Sequence, residues 1–354
     1  MINVPPPHVA DADVHTSSLR TIVFHPPSPL DAGMFDAPVG DLGHAPWVYA
    51  RNEFEKMGVR VVASYRYEGA LEEVDWIVFM AMPAVAVKRR NFKQIVRSIL
   101  RRNPPEKDFY KRCISAGLSA RLAVMLWEPA VVSPINYLTS AHRKFARVFT
   151  WSERLLSKGD PYSPIIWPQP PIVAFPESVD FSARKLLCNF SGNKTSTVGN
   201  ELYTLRVAAI RYMEVKHSCD FDHYGPGWDK TFPSWKGVVS SKFDIYPNYR
   251  FGLCFENMKE EPGYITEKIF DCLRSGCVPV YFGAPDIAEH VPANAFIDYR
   301  NYSSLEAMLD ALQYFDETCW KLMLKAGQDF LISPAFDRFQ RQSFFCMLRD
   351  GFLK

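Results

Sequence analysis

No two of the eight cysteines form a C-x-x-C pair, and none joins histidines at zinc-ligand spacing, so zinc-ribbon, zinc-finger and dithiol redox modules are excluded. Cys188, Cys254 and Cys277 sit instead inside apolar, strand-like segments, as small buried hydrophobes in a reducing compartment do. No window approaches the ~18 consecutive apolar residues that a membrane-spanning helix needs. The opening MINVPPPHVADADVHTSSL lacks the basic-then-apolar order of a secretory signal, so a cytoplasmic protein is expected. An excess of one charge is missing too. A formal net charge of +2 makes no general case for a nucleic-acid binder. Nor is there a repeat of fixed period, which excludes a solenoid.

What is present is alternation. Short β-rich runs at 21–24, 59–63, 75–80, 121–126 and 147–151 alternate with helical patterns, the order of a parallel sheet with helices on its faces. The stretch PYSPIIWPQPPIVAFP (161–176) then forbids regular helix and central strand. The alternation restarts with strands expected at 185–190, 221–224, 249–255, 278–282 and 296–299. The expected organisation is a polar tail at 1–19, an N-terminal domain at 20–165, a proline-rich linker at 166–180 and a C-terminal domain at 181–354. With 354 residues, two α/β domains with a cleft between them fit the length.

Residues 88–112 carry ten Lys or Arg against Glu106 and Asp108. Phe92, Ile95, Val96, Ile99 and Leu100 recur at helical spacing, so the segment reads as a basic amphipathic helix. Such a helix either packs on its sheet with a solvated face or meets anionic lipid headgroups as a peripheral membrane contact.

The richest stretch is YRFGLCFENMKEEPGYITEKIFDCLRSGCVPVYFG, 249–283. A strand pattern gives way to a polar loop, then to apolar residues at Ile265, Ile269, Cys272 and Leu273, one face of a helix stopped by Gly276. Asn257, Tyr264, Thr266, Glu267 and Lys268 gather at this strand-to-helix junction. Free amide groups, the positive helix end and Lys268 suit an anion, whereas a carboxylate such as Glu267 suits sugar hydroxyls. Together they describe a nucleotide sugar. The plainer reading is a helix cap, with Thr266 at the N-cap and Glu267 and Lys268 as surface charges.

Cys254-Phe255-Glu256-Asn257, Gly263 to Ile269, and Gly276 to Tyr281 with Gly283 closely resemble the donor motif of the α1,3/4-fucosyltransferases, glycosyltransferase family 10, bacterial type. Ile287, Pro292, Phe296 and Ile297 continue the pattern, and Tyr224-Gly225 with Gly227-Trp228 is similar to a strand-end motif of bacterial members. The resemblance implies a GT-B fold: two Rossmann-like domains facing each other across a cleft, with GDP-fucose as donor substrate in the C-terminal one. It implies that Asn257, Tyr264, Thr266, Glu267 and Lys268 line the donor site. The family's general base, a Glu followed by Pro after an N-terminal strand, is matched by Glu128 in Trp127-Glu128-Pro129. The family often sets an Arg on the diphosphate, but here the corresponding segment reads Thr197-Val198-Gly199-Asn200-Glu201, which leaves Lys194 or Arg206 as substitutes.

The resemblance implies inverting transfer of fucose, without a metal or other cofactor, to a hydroxyl of N-acetylglucosamine in a glycan such as lipopolysaccharide. Neither Asp11 to Asp13 nor Asp220 to Asp222 is placed as a metal-binding D-x-D should be. The alternatives are a GT-B transferase for another nucleotide sugar and a non-catalytic nucleotide- or glycan-binding module.

Overall fold

The computed structural model describes residues 20–28, 33–36, 43–86, 105–172, 175 and 180–353. The tail, Asp11 to Asp13 and most of the basic segment at 88–112 lie outside the described residues. Strands β1 (Arg20–His25), β2 (Val59–Ala63), β3 (Trp76–Phe79), β4 (Leu122–Leu126), β5 (Arg147–Thr150) and β6 (Tyr162–Pro164) form one parallel sheet in the order β2-β1-β3-β4-β5-β6. β4, LAVML, is buried at every residue, as a central parallel strand covered on both faces must be. β6 falls inside the proline-rich stretch and was not expected. It lies at the sheet edge, where Pro164 interrupts no inner ladder.

β7 (Lys185–Phe190), β8 (Phe221–Tyr224), β9 (Tyr249–Phe255), β10 (Val278–Phe282) and β11 (Ile297–Asp298) form a second parallel sheet in the order β11-β10-β9-β7-β8. Each sheet starts one strand in from an edge and winds outward in both directions. Each therefore has a reversal point, between β1 and β3 and between β7 and β9, and the carboxyl ends of the strands there form the crevice in which such sheets take ligands.

The helices are α1 (Ala45–Lys56), α2 (Pro105–Ser115), α3 (Thr139–His142), α4 (Glu153–Leu156), α5 (Tyr203–Lys216), α6 (Glu267–Arg274), α7 (Leu305–Gln313), α8 (Glu317–Leu331) and α9 (Arg341–Leu353). Among the described residues no helix is long and apolar enough to cross a membrane.

The last helix departs from the expected division at 181–354. Phe344, Phe345, Leu348 and Phe352 of α9 are buried in the core of the first sheet with Phe24, Trp47 and Phe149. The Phe352 ring meets Phe24 and Phe149 with centroids 6.1 and 4.9 Å apart, and its carbonyl accepts from the Trp76 indole at 3.0 Å. An apolar helix face buries wherever a complementary face is open. The face beside α1 lies on the first sheet, so the chain crosses back to it. A small cluster joins the two halves near the strand ends: Val131 and Trp151 from the first, Tyr203, Met258 and Tyr264 from the second.

Candidate functional site

At the end of β9 the chain runs Phe255-Glu256-Asn257, and Glu256 is wholly buried. A bare carboxylate in that position would be costly, and three groups from the start of α6 compensate it. The Thr266 amide donates to Glu256 Oε1 at 2.8 Å and the Thr266 hydroxyl to Oε2 at 2.8 Å. Lys268 Nζ lies 3.0 Å from the same Oε2 and donates to Thr266 Oγ1 at 2.8 Å. Thr266 therefore stands at the N-cap, but its hydroxyl does not cap the helix. It turns back to Glu256, leaving the first amides of α6 without a side-chain acceptor from that residue. Of the plainer helix-cap reading, the place of Thr266 at the N-cap holds and the side-chain cap bond does not.

Glu267 remains about a third exposed, with Oε1 3.6 Å from Lys268 Nζ. Burial raises its pKa. The charges of Lys268 and Lys242 outweigh that, holding the carboxyl at about 2. Lys268 moves the opposite way. Burial lowers it, but the carboxylates Glu256 and Glu267 outweigh burial and raise its pKa above the ordinary value, so it stays charged. The junction thus offers a fixed ammonium, an ionised carboxylate and a helix N-terminus side by side.

Arg206, on α5, is buried at the same strand end. Its Nε donates to the Phe255 carbonyl at 3.1 Å, and Nη2 donates to the Glu256 carbonyl and to Asn257 Oδ1, the latter at 2.9 Å. It fastens the β9 end and aims Asn257, whose Nδ2 donates to the Tyr264 hydroxyl at 3.1 Å. Tyr264 is buried against Trp151, centroids 4.8 Å apart, so its ring joins the halves as well as lining the junction. Lys194 differs: it is exposed in the loop after β7, on the other side of the reversal point.

Glu128 follows β4 in the first half and is partly exposed. Its carboxylate contributes to raising the pKa of Tyr203, pushed up to about 12 chiefly by burial, and of Tyr264, raised by burial and then by Glu256 and Glu128. Both tyrosines belong to the second half. The charge of Glu128 thus acts on two side chains across the chain's division.

Two residues that matter here were not singled out as site residues from sequence. Glu256 organises the junction; its signal is an acid placed directly after a buried strand and followed by Thr and Lys at a helix start. Asp286 accepts from the Gly263 amide with both oxygens, at 3.1 and 3.0 Å. Nothing in the sequence links it to a glycine 23 residues earlier. Asp222, of the second D-x-D, is buried and pairs with Lys185 at 2.6 Å and Lys236 at 3.3 Å.

Residues 194–323 match the family model described as glycosyltransferase family 10 (fucosyltransferase) C-term. The α-(1,3)-fucosyltransferase FucT of Helicobacter pylori is 33% identical over 76 residues, covering 22% of this chain and 16% of that protein. GDP-fucose protein O-fucosyltransferase 3 of Xenopus laevis is 50% identical over 50 residues, covering 14% of this chain and 10% of the relative. The chain thus matches under a fifth of the length of either. A crystal structure of an α1,3-fucosyltransferase with GDP shares the fold, with a TM-score of 0.56 at 12% identity over 96% of this chain and 92% of that one. The architecture is therefore GT-B, and residues 194–323, somewhat over a third of the chain, are similar to the C-terminal domain of the family 10 fucosyltransferases.

Proposed function

We propose that the protein is an inverting fucosyltransferase that uses GDP-fucose. The observation that carries this reading is the junction of Glu256, Thr266, Glu267 and Lys268 at the β9 end, inside the stretch that matches the family. Lys268 and the α6 amides suit the diphosphate, and the ionised Glu267 suits donor hydroxyls.

In the proposed step Glu128 takes the proton of an acceptor hydroxyl while that oxygen forms a bond to the anomeric carbon. The bond to GDP breaks in the same displacement, inverting that carbon, and the electron pair leaves on the diphosphate. Lys268 and the helix amides stabilise the charge, and Lys194 supplies the further cation. Arg206 acts indirectly, by fixing Asn257. The acceptor is a glycan hydroxyl on N-acetylglucosamine, α1,3 or α1,4, in a surface glycan such as lipopolysaccharide assembled at the cytoplasmic membrane face. No metal is required.

The test is GDP release from GDP-fucose with N-acetyllactosamine in EDTA, beside GDP-mannose and UDP-sugars. Release from GDP-fucose alone supports the reading. Release only from another nucleotide sugar, or from none with any acceptor, overturns it. Lys194→Ala should lower turnover more than GDP binding. An unchanged turnover would remove Lys194 from the site.

A further inference from the structure

The loop that presents Glu128 is tied from behind by buried groups which the proposed reaction does not itself use. Asn136, 2% exposed, donates through Nδ2 to the Glu128 carbonyl at 2.9 Å. The Ser133 hydroxyl lies 3.3 Å from Asn136 Oδ1, an arrangement that turns the amide nitrogen toward Glu128. His142, 1% exposed, has Nε2 2.9 Å from the Asn136 carbonyl and Nδ1 2.9 Å from the Tyr162 hydroxyl. A carbonyl only accepts, so Nε2 carries the proton and Nδ1 accepts from Tyr162. Burial, foremost, holds the imidazole pKa below its ordinary value, which keeps this neutral tautomer. On the other side the Trp151 indole donates to the Trp127 carbonyl at 2.8 Å.

We propose, resting on the reading of Glu128 as base, that Asn136 and His142 are positioning residues that fix the Glu128 backbone and hence the direction of its carboxylate. Two successive carbonyls, of Trp127 and Glu128, are held by side chains from different elements, so the peptide between them has little freedom to rotate. A buried carbonyl in any loop needs a partner, but a loop without a catalytic group does not need its side chain aimed to within about 1 Å. A base that must meet a hydroxyl within hydrogen-bond reach does, since misplacement by about 1 Å can cost a hundredfold in rate. Tyr162, from edge strand β6, closes the chain.

The experiment is a kinetic cycle on the full chain with GDP-fucose and the acceptor that works best. Asn136→Asp keeps the shape and removes the donor to Glu128. It should lower kcat at least about tenfold with GDP affinity unchanged within twofold. In a Glu128→Gln background the same substitution should lower kcat less than twofold, because the group it positions is already disabled. Tyr162→Phe, a milder change at a half-buried site, should lower kcat about threefold and serves should Asn136→Asp not fold. Wild-type kcat in either folded variant, or a full additional loss in the Glu128→Gln background, overturns the inference and leaves the assignment of Glu128 standing. Undiminished turnover by Glu128→Gln alone overturns that assignment first.

Discussion

At the scale of single residues, Glu256 decides the junction although only its neighbours look like ligand groups. It was legible only as part of the CFEN motif, because a sequence does not show which acid is buried. Thr266, which reads as a helix cap, serves that carboxylate instead. Removing its charge by Glu256→Gln leaves Lys268, whose side chain is 16% exposed, without its closest partner. The expected cost is about 3 kcal/mol, read as a shift in urea unfolding, together with at least tenfold weaker GDP binding. Glu267 gives a pH signature. Its folded pKa of about 2 lies below the ordinary 4.5, so the unfolded chain binds the proton more readily. Its stabilisation is present above pH ~4.5 and is lost as pH falls toward ~2. Glu267→Gln should flatten that part of the stability profile, as measured by denaturant unfolding between pH 5 and 3.

At the scale of elements, strand pattern predicted most of what the structure shows. β7, β8, β9 and β10 fall at the expected 185–190, 221–224, 249–255 and 278–282, because buried parallel strands are continuous apolar runs with sharp polar ends. Helix α6 was legible from its apolar face and Gly276. Contacts between distant segments were not legible. Gly263 shows why: it adopts φ +79°, and a Cβ there would lie 2.8 Å from the Trp151 carbonyl oxygen. A glycine is required both for its backbone and for its closeness to the other half. Gly263→Ala should cost about 1–3 kcal/mol and loosen Tyr264 from Trp151, visible as a lower melting temperature and weaker GDP binding. A melting temperature within 1 °C of wild type, on the order of 0.5 kcal/mol or less, would contradict this.

At the scale of the whole molecule, a six-stranded and a five-stranded parallel sheet meet through the cluster of Val131, Trp151, Tyr203, Met258 and Tyr264, with the proposed base in the first half and the proposed donor groups in the second. The alternation and the proline-rich stretch made the two sheets legible, but not the return of α9 to the first. Its apolar positions mark a packed face and not the surface it packs on. Phe344 is fully buried in that face. Phe344→Ala should therefore destabilise the N-terminal half by about 3–5 kcal/mol, although it lies near the other end of the sequence. Hydrogen exchange should show the loss in β1 and β4 rather than in β9.

The central claim is a division of labour: the second half holds GDP-fucose, and Glu128 of the first removes the proton. Glu128→Gln separates the two most directly, with GDP-fucose affinity by calorimetry and fucose transfer measured on the same preparation. Affinity should stay within about twofold of wild type and transfer should fall at least about a hundredfold, the order that loss of a general base brings. Transfer at the wild-type rate, or affinity lost together with transfer, would contradict it.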